Sequence, residues 1–106
     1  MCEEQFAPAL PVLGYGEVDD AVRRANDSSY GLCASIWTGD DALAADAARR
    51  LQAGTVFVNN HGTAAMDHRA PFGGWKQSGY GLELGPEGMR AFMRPKTVLA
   101  FPAPGR

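Results

Sequence analysis

At 106 residues the chain is one domain at most, or a part of a larger one. Its 45% hydrophobic and 21% charged residues are those of an ordinary soluble globular chain, able to bury roughly two-thirds of its unfolded surface. A net charge of −2 gives no reason to expect nucleic acid or an anionic membrane as partner.

The charge is split along the chain: residues 1–50 hold nine acids against four arginines, and residues 51–106 hold three acids against six basic residues. That pattern is read as solvated helix surface rather than as a functional patch. Cys2 and Cys33 have neither metal-ligand spacing nor a redox-pair motif, and Cys33 reads as a buried small hydrophobe. A reducing compartment suits both thiols. No segment resembles a signal peptide or a membrane span, so the expected location is the cytoplasm.

In chain order, Ala9–Leu13 is a short apolar run closed by Gly14 and Gly16, and predicts a strand in which Pro11 takes an edge or an early position. Val18, Ala21, Val22 and Ala25 recur at helical spacing. Asp19 and Asp20 at the start and Arg23 and Arg24 at the end suit the helix dipole. Asn26–Ser29 ends that helix, and residues 32–37 predict a second strand.

A second helix follows, capped by Thr38 or Asp40, with Leu43, Ala44, Ala47, Ala48 and Leu51 as its apolar stripe and Gly54 as terminator. Thr55–Val58 is rich in β-branched and aromatic residues and predicts a third strand. Strand, helix, strand, helix, strand implies an α/β fold with a parallel sheet and right-handed crossover helices. After it the rhythm stops, and residues 59–82 form a long irregular stretch of the kind often tied to function. A short helix beginning near Pro86 and stopped by Pro95 precedes a terminal strand, Thr97–Phe101.

Within the irregular stretch, Pro71-Phe72-Gly73-Gly74-Trp75-Lys76-Gln77-Ser78-Gly79-Tyr80-Gly81 places four glycines together with Phe72 and Trp75 in one turn-forming run. It predicts a shaped loop packed on something. Gly14-x-Gly16 meets Asp19 where a dinucleotide fingerprint needs glycine, Gly79-x-Gly81 meets Leu84, and Lys76 is followed by Gln77. No nucleotide phosphate site is therefore recognisable. His61, Asp67 and His68 are polar loop side chains rather than a metal set, and no metal is expected. Glu83 either caps the last helix or serves an active site.

Several segments together resemble the NAD(P)-dependent aldehyde dehydrogenases. Glu3-Glu4-Gln5-Phe6-Ala7-Pro8 is similar to that family's E-E-x-F-G-P motif, and Asn26–Leu32 to its A-N-x-S-x-Y-G-L segment. Gly54–Asn59 is similar to G-T-V-W-V-N, and Pro71–Gly81 to P-F-G-G-x-K-x-S-G-x-G, with Glu83 where the family's following glutamate lies. The resemblance is to the C-terminal portion of a chain several times longer. It implies that residues 1–94 are the C-terminal part of a catalytic domain and residues 95–106 a terminal oligomerisation strand and tail.

By the same resemblance, Glu4 would bond the nicotinamide-side ribose of NAD or NADP, and Phe6 would lie beside the nicotinamide. Phe72 would line the aldehyde tunnel, and Glu83 would stand near the proton-relay path. The family's nucleophilic cysteine and general-base glutamate would lie upstream of Met1, so no catalytic residue is expected in this chain. Thiolate attack, hydride transfer and thioester hydrolysis could not be completed by it alone.

Ala7 stands for the family's usual glycine and Leu82 for a common arginine, while Asn60–Ala70 departs most and would carry aldehyde preference. The expected partners are a small-molecule aldehyde, the remainder of the dehydrogenase chain and, when complete, further copies of it. The alternative reading is a free-standing α/β interaction or assembly module without catalytic activity. The first predicts exposed strand edges and association; the second predicts a cooperatively folded chain with covered strands.

Overall fold

The computed structural model describes residues 6–105. In chain order it holds α1 (Val18–Asn26), β1 (Tyr30–Gly31), β2 (Cys33–Ile36), α2 (Asp41–Arg50), β3 (Thr55–Val58), a 3-10 turn at Thr63–Ala65, β4 (Trp75–Lys76) and α3 (Gly85–Arg90).

The central unit is the crossover the periodicity predicts. Strands β2 and β3 pair in parallel, Cys33 opposite Thr55 and Ile36 opposite Val58, with α2 as the connection between them. Asp40 is the N-cap of α2, its carboxylate accepting from Ala42 N at 2.9 Å and Leu43 N at 3.0 Å. Thr38 contributes differently, its hydroxyl accepting from Asp40 N at 3.1 Å. Helix α2 lies against β2, and α1 lies against α2.

The buried core consists of Val22 from α1, Ala44 and Ala47 from α2, and Phe57 from β3. Small alanines let the helices approach closely, and Phe57 supplies most of the buried apolar area, a contribution of about 2–3 kcal/mol. Across the helix pair, Arg50 Nη2 meets Asp19 at 2.6 Å and Arg50 Nη1 meets Asp46 at 2.8 Å. Asn26 bridges the same two helix ends: its Nδ2 donates to Arg50 O at 2.8 Å, and its Oδ1 accepts from Gln52 N at 2.8 Å.

Four expectations are corrected. Ala9–Leu13 and Thr97–Phe101 form no strand ladder: their apolar runs have the composition of strands but find no edge to pair with among the described residues. The predicted strand at 32–37 shortens to β2, and a bend at Leu32 separates it from an unforeseen short strand, β1, which pairs antiparallel with β4. Cys33 is exposed: among the described residues β2 has one neighbouring strand, β3. Gly54 does not terminate α2, which ends at Arg50; it serves instead where two backbones meet, as described below.

All described residues of 6–17 and all of 91–105 are exposed, including Leu10, Val12, Phe92, Val98 and Phe101. The radius of gyration is 20.2 Å, against about 13 Å for a compact domain of this size. The chain thus has a small packed unit and two long uncovered ends.

Candidate functional site

The glycine-rich run is a shaped loop held on three sides. Phe72 and Glu83 face each other across its neck, Phe72 N donating to Glu83 O and Glu83 N to Phe72 O, both at 2.7 Å. At its tip, Ser78 N donates to Trp75 O at 3.1 Å to close a tight turn. Its middle pairs with β1, Tyr30 opposite Lys76 and Gly31 opposite Trp75.

Further bonds tie the loop to the turn after α1. Gln77 N donates to Ser29 O at 2.9 Å, and Gly31 N donates to Ser78 Oγ at 2.9 Å. Lys76 Nζ donates to Asn26 O at 2.7 Å and to Ser28 O at 3.0 Å. On the other side, the loop meets the start of β3 backbone to backbone: a Cβ on Gly54 would lie 1.7 Å from Gly73 O. Glycine at position 54 is therefore a steric requirement, which explains its place in the Gly54–Asn59 segment.

Phe72 is half-buried and lines two cavities. One, of about 220 Å³, is also lined by Phe57, Met66 and Pro71. The other, of about 330 Å³, is also lined by Leu32, Leu82 and Glu83. Glu83 caps nothing: α3 has Leu84 at its N-cap, with no side-chain bond there. Leu84 takes φ 60 and ψ 170 at the entry to that helix. Of its two readings, capping is excluded.

Phe6 is fully exposed and touches no other part of this site, and Glu4 lies outside the described residues. Phe72 and Glu83 are brought together; Phe6 is not brought to them. His61 hydrogen-bonds Ser35 at 2.5 Å and sets its ring edge-on to Phe57, the centroids 5.7 Å apart. Asp67 is engaged by Arg69, whose guanidinium holds the carboxyl below its ordinary range. Partial desolvation raises the thiol of the exposed Cys33 above its ordinary pKa, the opposite of what a poised nucleophile needs.

Two positioning residues were not singled out from the sequence. Asn26 joins the helix ends and supplies a carbonyl to Lys76. Asn59, at φ 52, turns the chain out of β3 while its side chain accepts from Thr38 N and donates to Thr38 O, each at 2.9 Å. Asparagine is among the few residues that tolerate this φ, and it ends the Gly54–Asn59 segment; that was the available signal.

The sequence profile of the aldehyde dehydrogenase family matches residues 1–98. The chain belongs to that family. A geranial dehydrogenase from Castellaniella defragrans is 47% identical over 96 residues, which are 91% of this chain and 20% of the relative. An aldehyde dehydrogenase from Enchytraeus buchholzi is 45% identical over 96 residues, again 91% of this chain and 19% of the relative.

Among solved structures, a point mutant of betaine aldehyde dehydrogenase from Staphylococcus aureus in complex with NAD+ superposes with a TM-score of 0.81 at 40% identity, covering 86% of this chain and 18% of that one. An aldehyde dehydrogenase from Bacillus cereus in complex with NAD+ gives 0.74 at 42% identity, covering 79% and 17%. The chain thus spans about a fifth of the length of these aldehyde dehydrogenases.

The described residues do not by themselves form a site for that cofactor. A dinucleotide needs a cradle for its phosphates. The ammonium in the glycine-rich loop is already engaged by two backbone carbonyls. Phe6 has no wall beside it.

Proposed function

We propose that this chain is the C-terminal portion of an aldehyde dehydrogenase that oxidises an aldehyde to a carboxylic acid with NAD(P)+, and that it supplies one wall of the aldehyde tunnel. The observation that carries the reading is the paired neck of the glycine-rich loop. It fixes Phe72 between two apolar cavities and holds Glu83 directly behind it.

A rigid aromatic wall orients an aldehyde by shape. Glu83, exposed and free of a capping duty, is suited to hold or pass a proton near that wall. Hydride-accepting chemistry would be supplied by NAD(P)+ in the complete enzyme. Glu4 would offer a carboxylate to its ribose and Phe6 a flat face to its nicotinamide. The nucleophilic cysteine belongs to the rest of the dehydrogenase, in keeping with the raised pKa of Cys33. The uncovered ends, with apolar residues such as Val12 and Val98, suit burial against that remainder and against further copies.

The test is a chimera in which residues 6–98 replace the matching segment of a full-length relative. Aldehyde-dependent reduction of NAD+ by the chimera, with none by the 106-residue chain alone, is expected. A folded, NAD+-binding chimera without turnover would refute the proposal.

A further inference from the structure

We propose that Lys76 is the positioning residue of the glycine-rich loop, an ammonium clasp that fixes the Phe72–Glu83 neck by gripping the C-terminal end of α1. Asn26 is the last residue of α1, and its carbonyl lies among those a helix leaves without an internal partner. Lys76 Nζ donates to that carbonyl at 2.7 Å and to Ser28 O at 3.0 Å. The cation therefore sits where the helix dipole is negative.

Among the described residues no carboxylate forms an ion pair with Lys76. Its charge is spent on backbone. The residue also takes φ 55, a left-handed conformation that lysine adopts only when the surroundings hold it there. The α1 end gripped in this way is itself fixed to α2 by the Asn26 side chain. Lys76 thus links the loop to the helix layer across about fifty residues of sequence, and the neck at Phe72 and Glu83 lies on the same loop.

The significance of this clasp for aldehyde binding rests on the tunnel-wall reading, but its test requires neither aldehyde nor cofactor. Amide hydrogen exchange is measured by NMR on the 106-residue chain and on Lys76→Met and Lys76→Arg. Methionine keeps the stem and removes the charge, so exchange at Phe72, Gln77 and Glu83 is expected to accelerate about tenfold or more. Leu51 and Asn59, whose amides bond within α2 and between β2 and β3, are expected to stay within about twofold. Arginine, which retains a donor cation, is expected to restore most of the protection.

Unchanged exchange at Phe72 and Glu83 in Lys76→Met would overturn the inference. So would uniform acceleration that includes Leu51 and Asn59, or an arginine variant that behaves like methionine. Failure here would leave the tunnel reading standing, and an inactive chimera would leave the clasp standing.

Discussion

Gly54→Ala is expected to be among the most damaging single-methyl additions in this chain. The new Cβ would lie 1.7 Å from Gly73 O and 2.8 Å from Gly73 C, whereas ordinary contact begins near 3.4 Å. Both obstacles are backbone, so no side chain can swing away. Relief requires the start of β3 and the glycine-rich loop to separate by about 1.5 Å. That movement pulls on Gly54 N to Gly31 O, now 3.0 Å, and Thr55 N to Leu32 O, now 3.1 Å. Losing two backbone bonds, with their groups left poorly satisfied, costs about 2–5 kcal/mol. Against a typical stability of about 5–15 kcal/mol this is a large fraction. Gly39→Ala is the matched control, because nothing lies within 4 Å of its Cβ. Urea denaturation should show a clear fall in midpoint for Gly54→Ala and almost none for Gly39→Ala. Equal midpoints for the two variants would refute the steric reasoning.

Asp40→Ala removes the acceptor for Ala42 N and Leu43 N, and should cost about 1 kcal/mol by denaturant midpoint. Asn59→Ala loses the Thr38 bonds and also strains φ 52, whereas Asn59→Gly loses only the bonds; the alanine variant should be less stable by about 1 kcal/mol. The side-chain bond from Arg23 lowers the Asp20 pKa, and that from Arg50 lowers the Asp46 pKa, each from an ordinary 3.8. A depressed folded-state pKa gives stability that is present above 3.8 and is lost as the pH falls through the lower folded value. Helical circular dichroism should therefore hold from neutrality down to about pH 4 and fall below it, with Asp46→Asn reducing that acid dependence.

The elements legible in the sequence are those that carry a local signal. Helix α1 announces itself by Val18, Ala21, Val22 and Ala25, α2 by its alanine stripe and Asp40, and β3 by Thr55–Val58. Periodicity reports which face of an element is apolar, and that suffices for a crossover unit. It does not report whether an apolar run finds a partner, so Ala9–Leu13 and Thr97–Phe101 read as strands although no ladder forms there. The two-residue strands β1 and β4 are too short to show alternation, and their pairing depends on a lysine and a serine that bond across nearly fifty residues. Phe72 and Glu83 were legible as motif residues, and their direct pairing was not. The asparagine clamp at Asn26 follows from three-dimensional proximity, and that at Asn59 had only its place at the end of the Gly54–Asn59 segment as a signal.

The proposed aldehyde-tunnel role of the loop is most directly tested by steady-state kinetics of the chimera carrying Phe72→Ala. Opening one wall of the tunnel should change the aldehyde KM and the ranking of aldehydes by kcat/KM by about tenfold, with the NAD+ KM within about twofold. An unchanged aldehyde ranking together with a raised NAD+ KM would contradict the account.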